Sequence, residues 1–268
     1  MSTEELDNFK KSGDYIQSLE RGLQVIQAFS QQNSSMTVSD AAKKTGLSRP
    51  AARRILLTLE ALGFAESKNG SYSLTARTLS LGYAYLSSNN SWSMAHPFMK
   101  QFVDQTGESC SISILDGTDI LYVARVSTKR IMSINLGVGS RLPAYATSMG
   151  HVLLANLPKA ELEAYLEKMN FEKFTDKTIT DKEEFLKVLE GVREKNWGGV
   201  DQQFEEGLRS IAVPIRNARG KVIAAMNCSV HAGRVSKDVL REEFLPLLQE
   251  AAEQIGQALA AANSSSFE

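Results

Sequence analysis

The fold is decided by residues 37–74, which read TVSDAAKKTGLSRPAARRILLTLEALGFAESKNGSYSL. Thr37 or Ser39 can cap a short helix running through Lys44, and Ala41 and Ala42 keep one side of it slim. Gly46 supplies the positive φ that a tight turn needs. Pro50 fits the first turn of a following helix, where its missing N–H costs least. The spacing predicts that helix from Arg49 to Leu62, with Ile55, Leu56, Leu59 and Leu62 as its buried stripe. Two helices joined by a short glycine turn read as a helix-turn-helix. Phe64 to Lys68, Asn69-Gly70 and Ser71 to Leu74 then read as a hairpin, because Asn-Gly suits two positive-φ positions. A helix-turn-helix followed at once by a hairpin is a winged helix.

Upstream, Leu19, Leu23, Val25, Ile26 and Phe29 recur at helical spacing and predict a helix near 18–30. The chain as a whole is balanced, with 30 Lys and Arg against 31 Asp and Glu. Its distribution is not uniform: from Ala41 to Leu59 there are five basic residues and no acid. Arg49 and Arg53 lie one turn apart with Arg54 beside them, and Ser48 offers a hydroxyl and an N–H at the helix start. Ser48, Arg49, Arg53 and Arg54 are therefore the main candidate DNA contacts. Lys43 and Lys44, with Lys68 at the wing tip, are candidates for phosphate. Arg49 or Arg53 could read guanine by a bidentate contact. The competing readings are a solvated helix face, or a helix-turn-helix module that assembles proteins without sequence-specific DNA binding.

Downstream, Thr75 to Leu86 reads as a helix with Leu79, Tyr83 and Leu86 on one face, and the polar run Ser87 to Ser91 marks a boundary. This divides the chain into a winged helix (1–74), a linker helix (75–91) and a second domain (92–268). In the latter, His96 to Thr106 reads as a helix. Cys110 to Leu115 and Ile120 to Val126 form a hairpin about Asp116–Asp119, and Ile131 to Leu136 is a third strand. Helices are expected near 148–157, 159–168 and 181–195. Ser210 to Ile215 pairs with Val222 to Val230 about Asn217–Gly220, and a last helix runs from Lys237 to Ala262. Helices framing an antiparallel sheet make the class α+β.

Composition and motif exclude other classes. With 43% hydrophobic and 23% charged residues the chain is ordinary globular material, and no apolar run approaches a membrane span. No secretory leader is visible, and Cys110 and Cys228 are the only cysteines, which suits a cytoplasmic protein. His96, His151 and His231 are far apart, so no metal is expected. Ser148 sits in Ala146–Gly150 rather than in a G-x-S-x-G elbow. Gly220-Lys221 is followed by Val rather than by the hydroxyl of a phosphate loop, and Gly137-Val-Gly139 lacks a third glycine. Neither catalysis nor a cofactor is expected.

The stretch from Ser18 to Gly82 resembles the DNA-binding domain of the IclR family of bacterial transcription regulators. The likeness includes its two ends, SLERGLQVI and YSLTARTLSLG, which lie outside the bare helix-turn-helix. GVGSRLPAYATSMGHVLLA (137–155), FEEGLRSIAVPI (204–215) and IAAMNCSVHAGRVS (223–236) resemble the family's effector domain. The resemblance implies a GAF-like α/β effector-binding domain and a linker helix that helps pair subunits. It also implies a homodimer or a dimer of dimers on near-palindromic double-stranded operator DNA. YATSMGHVLL, VDQQFEEGLRS and NCSVHAGR are most similar to the subgroup that controls β-ketoadipate-pathway (aromatic acid) catabolism. The implied ligand is a small anionic organic acid, aromatic or β-keto. The implied pocket lies between the sheet and the segment after Pro143, with Ser148, Met149, Asp201, Ser210, Asn227 and Ser229 on it. Asn227 and Ser229 are two apart and so share a sheet face. His151, Arg209 and His231 are added because a carboxylate needs donors or positive charge. For Arg209 an ion pair with Glu205 or Glu206 is the structural alternative.

Overall fold

The computed structural model describes residues 3–30, 33–88, 90–128 and 136–264. The chain separates into two compact units, residues 1–88 and 89–268.

The first unit opens with α1 (Thr3–Lys10) and α2 (Gln17–Gln27). A short strand β1 (Ser35–Thr37) leads into α3 (Val38–Thr45). Thr37 is the cap of α3, and it builds a reciprocal pair: its hydroxyl accepts from the Asp40 N–H, and the Asp40 carboxylate accepts from the Thr37 N–H at 3.0 Å. Gly46 closes the helix in the left-handed region at φ 68°, and Ser48 caps α4 (Arg49–Ala61), with Pro50 in its first turn. The wing is β2 (Ala65–Lys68) and β3 (Ser71–Leu74), joined by Asn69 and Gly70 at φ 54° and 79°. β1 pairs with the far side of β3, so the wing is a three-stranded sheet rather than a bare hairpin. The core is Val25, Met36, Ala41, Ala52, Leu56, Leu59 and Tyr72. Of the stripe expected to be buried on α4, Leu62 is exposed and Ile55 half-buried; Leu19 and Leu23 of α2 are exposed as well. The helical period was right, but the buried arc is narrower than the apolar arc. A single 3-10 turn (Ala76–Thr78) precedes α5 (Leu79–Ser88), where one helix from Thr75 was expected; Leu79 and Tyr83 are exposed.

The second unit is built on a six-stranded antiparallel sheet. After a 3-10 stretch (Asn90–Ala95) come α6 (His96–Thr106), β4 (Ser109–Asp116) and β5 (Asp119–Val126). Then follow β6 (Arg141–Pro143), α7 (Ser148–Ala155), α8 (Lys159–Lys168), α9 (Lys182–Lys195) and β7 (Gly198–Asp201). β8 (Leu208–Arg216) and β9 (Val222–His231) form the long central hairpin, and α10 (Lys237–Val239) and α11 (Leu245–Ser264) end the chain. The strand order is β6-β5-β4-β9-β8-β7. The last helix, expected unbroken from Lys237, is interrupted by a π-helical turn at Leu240–Phe244. The strand expected at Ile131 to Leu136 lies outside the described residues except for Leu136.

The two faces of this sheet differ in chemistry. One face presents Cys110, Ile112, Ile211, Val213, Met226, Cys228 and Val230 to α6 and α11. The other presents Ala212 and Ala225 to α7, together with the buried serines Ser109, Ser111 and Ser113. α7 is buried along its whole length, and Phe185 and Leu189 of α9 pack beyond it. Gly150 makes this layer possible, because a Cβ there would stand 1.9 Å from the carbonyl oxygen of Ala144.

Candidate effector cavity and nucleic-acid interface

A small cavity of about 30 Å³ lies between the polar sheet face and the N-terminal end of α7, room for a water or two. A ring-sized ligand enters only if the lining opens around it. Ser148 and Met149 of α7 line it, with Ser210 of β8 and Asn227 and Ser229 of β9. Ser210 donates to the Ser148 hydroxyl at 2.9 Å, tying the strand to the helix start. Met149 is held by the Ser113 hydroxyl at 3.2 Å from its Sδ. The rest of the wall is mostly apolar: Leu136, Leu142, Ala146, Val200, Phe204 and Leu208.

The cation of this cavity is Arg125, which sequence reasoning missed. The register places Arg125 opposite Ser111, Ser111 opposite Asn227 and Asn227 opposite Ala212, one row across four strands on one face. Its Nη1 donates to the Ser111 hydroxyl at 3.0 Å, and no acid among the described residues pairs with it. Asn227 donates through Nδ2 to Ser229 at 2.9 Å, and its buried Oδ1 has no partner. Tyr122 also lines the space; burial pushes its phenol up to about 12, although Arg125 pulls the other way, so the hydroxyl stays protonated. The cavity thus offers one unneutralised guanidinium, one orphaned acceptor and several hydroxyls in an apolar shell. A flat or short ligand with one carboxylate and one hydroxyl would satisfy all of them. The signal for Arg125 lay in the alternation Ser109, Ser111, Ser113 against Cys110 and Ile112. A strand apolar on one face and serine-lined on the other has a polar face to be covered.

Phe204 closes one side, and its position is set from a distance. The loop after α8 supplies Thr175 and Thr178, whose hydroxyls donate to the carbonyls of Gln202 and Gln203 at 2.6 Å each. Phe174 of the same loop packs on Phe204 with ring centroids 5.0 Å apart. Tyr145 stacks on Phe174, and its hydroxyl donates to the Glu172 carbonyl at 2.6 Å.

Four expected ligands do not line the cavity. His151 is fully buried on the far side of α7, edge-on to Phe185, with Nε2 2.6 Å from the Tyr145 carbonyl. Burial lowers its pKa to about 4, so it is neutral and offers an anion no charge. Asp201 faces outward and binds Arg209 Nε at 2.9 Å and Lys237 Nζ at 2.8 Å. Burial pushes its carboxyl up, but the hydrogen bonds from Lys237 and Arg209 outweigh this and hold it at about 2. Arg209 therefore has a structural partner, and that partner is Asp201 rather than Glu205 or Glu206. It also donates to the Val235 carbonyl at 2.6 Å. His231 is exposed and accepts from the Gly233 N–H through Nδ1 at 3.1 Å. Asp201 and Arg209 miss because they point away from the face that Ser210, Asn227 and Ser229 share; His231 has that face's parity but sits at the exposed end of β9, outside the lining.

In the first unit, Lys43, Lys44, Ser48, Arg49, Arg53, Arg54 and Lys68 are all exposed. Among the described residues none of the six cations is ion-paired. The Ser48 hydroxyl accepts from the Ala51 N–H at 3.4 Å, and its cap role leaves the hydroxyl hydrogen free to donate outward. Lys43 and Lys44 occupy the last turn of α3, where the helix dipole favours cations. Arg49 and Arg53 lie one turn apart and exposed on α4, alongside the stripe of buried Ala52, Leu56 and Leu59.

Among the described residues no helix is long and apolar enough to cross a membrane. Among the described residues no group of three or more His, Cys, Asp or Glu side chains could hold a metal ion.

Comparison with known proteins accords with both halves. Residues 18–68 match the IclR helix-turn-helix domain, and residues 83–257 match the bacterial transcriptional regulator IclR C-terminal domain. The chain is 44% identical to the Pca regulon regulatory protein of Pseudomonas putida over 90% of its own length and 83% of that protein's. It is 36% identical to the p-hydroxybenzoate hydroxylase transcriptional activator of Acinetobacter baylyi, over 91% of this chain and 92% of that one. An IclR homologue from Microbacterium hydrocarbonoxydans, solved in complex with 4-hydroxybenzoate, superposes with a TM-score of 0.78. It is 26% identical, and the match covers 91% of this chain and 99% of that one. The chain belongs to the IclR family of bacterial transcriptional regulators.

Proposed function

We propose that this protein regulates a catabolic operon for aromatic acids, and that its effector is a small hydroxylated aromatic carboxylate bound in the cavity beneath α7. The observation that carries this reading is the pairing of Arg125, half-buried and without an acid, with the orphaned Asn227 Oδ1 in one apolar space. A monocarboxylate neutralises the guanidinium, and a ring hydroxyl donates to the amide oxygen. The ring itself rests against Leu136, Leu142, Met149 and Phe204. A flexible dicarboxylate such as β-ketoadipate would bring a second charge with no second cation among the described lining residues, so the aromatic acid is favoured. The relatives' names and the bound 4-hydroxybenzoate of the neighbouring structure support the same class.

On the DNA side, Ser48, Arg49, Arg53 and Arg54 meet the major groove, with Lys43, Lys44 and Lys68 on phosphate. The protein acts as a homodimer or a dimer of dimers on a near-palindromic operator. Leu6, Phe9, Ile16, Leu19 and Leu23 of the N-terminal helices are exposed apolar side chains, which a second copy would cover. The chain carries out no catalysis in this reading and works in the cytoplasm. The effector acts only through its different affinity for the two arrangements of the DNA-binding heads.

The test is binding of the full chain to its own upstream intergenic DNA, with and without a panel of aromatic acids and β-ketoadipate. Specific binding altered by one hydroxybenzoate supports the whole reading. Specific binding altered only by β-ketoadipate keeps the regulator and rejects the effector class. Absence of salt-dependent duplex binding under every condition favours the protein-assembly module.

A further inference from the structure

The six-stranded sheet ends at β7, whose outer edge carries no further strand. β6, at the other end, has only three residues and includes Pro143, so it makes a poor template. β7 has no proline and no bulge, and its sequence Gly198-Gly199-Val200-Asp201 leaves the edge sterically open. α9 turns into β7 through Asn196 at φ 60°, and a cleft of about 430 Å³ lies between the two elements. From Lys187 to Lys195 the helix is about 12 Å long, against about 13 Å for the four residues of β7. α10 and the start of the π-helical turn form the opposite bank.

The charge of this cleft is one-sided. Its lining includes Lys187, Lys195, Arg209, Lys237 and Arg241 but only one acid, Asp201, which Arg209 and Lys237 already occupy. Arg241 is paired with Asp238 and Glu242. Lys187 and Lys195 have no ion pair among the described residues; Lys195 lies 6.0 Å from the Trp197 ring centroid. Between these lysines, one turn from each, stands Gly191. A Cβ there would meet nothing within 4 Å, so no neighbour in the chain requires a glycine. A glycine inside a helix costs about 1 kcal/mol relative to alanine. Here its effect is to leave the cleft open between two cations.

We propose that the β7 edge and the Lys187–Gly191–Lys195 stripe form a docking groove for an extended acidic segment of a partner protein, which pairs with β7 as a seventh strand. Main-chain hydrogen bonds to the free edge would supply the form, and the lysines would select the charge. A second copy of this chain is the weaker occupant: pairing two β7 edges about a two-fold axis sets lysine stripe against lysine stripe. The proposal goes beyond the regulator reading; its cleft shares Val200 and Ser210 with the lining of the effector cavity, whereas Lys187, Gly191 and Lys195 lie outside that cavity.

The probe is a fluorescein-labelled ten-residue peptide, acetyl-EVEVEVEVEV, titrated against the full-length protein by anisotropy. Two companions are EVEPEVEPEV, which keeps the charge but lacks two N–H donors, and KVKVKVKVKV. The expected result is binding by the first peptide that weakens with salt and is at least tenfold tighter than either companion's. Lys187→Glu/Lys195→Glu and, separately, Gly191→Leu should each reduce it tenfold or more, with unchanged thermal melting and unchanged operator binding. The proposal is overturned if the proline peptide binds equally, if millimolar inorganic phosphate displaces the probe, or if no peptide binds. It is equally overturned if the lysine variant alters the oligomeric state while leaving peptide affinity intact. None of these outcomes depends on the effector assignment, so the two readings fail separately.

Discussion

Among the described residues Arg125 is the one cation lining the proposed effector cavity, and replacing it by Met removes that charge while keeping an unbranched side chain. In the free protein the change costs one hydrogen bond, the 3.0 Å contact to the Ser111 hydroxyl, so folding should be little affected. In the complex it removes the guanidinium that meets the ligand carboxylate. Hydrogen bonds to charged groups contribute about 1.5–3 kcal/mol, and each 1.4 kcal/mol is tenfold, so the dissociation constant for 4-hydroxybenzoate should rise by roughly 10- to 150-fold. Calorimetric titration with 4-hydroxybenzoate measures this directly. The control is 4-methylphenol, which keeps the ring and hydroxyl but puts a methyl where the carboxylate was. Its affinity should change by less than about threefold, since an apolar group gains nothing from an arginine. Equal losses for both ligands would mean that Arg125 acts by shaping the cavity and not by charge. An unchanged affinity for the acid would place the carboxylate elsewhere and refute the reasoning.

Three further outcomes are expected. The His151 pKa is about 4 in the folded protein against about 6.5 unfolded, so its contribution is full above pH 6.5 and lost as pH falls towards 4. Denaturant titrations should show about 3 kcal/mol of this loss disappearing in His151→Gln, and parallel pH curves for parent and variant would contradict the buried, neutral assignment. Gly150→Ala should cost about 1–3 kcal/mol or more in stability and weaken effector binding, because its Cβ would collide with the Ala144 carbonyl and push α7 off the cavity; a melting temperature equal to the parent's would count against the close approach. Arg53→Ala should weaken operator binding by about 1–3 kcal/mol and relax preference at one base pair, whereas Lys43→Ala should weaken all duplexes alike and lower the salt slope by about one; anisotropy across a salt series separates the two.

Local chemistry made the first unit legible. Thr37, Gly46, Ser48 and Pro50 each act through the backbone within three or four residues of themselves, and Asn69-Gly70 sets its own turn. Such signals survive in any tertiary context. Which apolar residues are buried is a different matter, because it depends on what covers them. Leu19, Leu23 and Leu62 have the right spacing for the core and are exposed, since nothing in their own unit reaches that side. Short strands were missed for a related reason. β1, β6 and β7 have three or four residues each, too few for an alternation to register, and they exist because a longer neighbour offers its edge.

The cavity shows where reading along the chain stops. Ser148, Met149, Ser210, Asn227 and Ser229 come from three elements and do converge, and within β9 the two-residue period had already placed Asn227 and Ser229 on one face. Asp201 failed although it is only nine residues from Ser210, because β7 and β8 present it on the outer side, where Arg209 and Lys237 neutralise it. Arg125 escaped notice because its role is defined by register across strands far apart in sequence: it faces Ser111, which faces Asn227. The positive groups near the expected pocket in sequence are His151, Arg209 and His231, silenced in turn by burial, by an ion pair and by an exposed place at the end of β9. A buried anion needs a cation that nothing else has claimed. That condition is a statement about the whole sheet, and among the described residues lining this cavity Arg125 alone meets it.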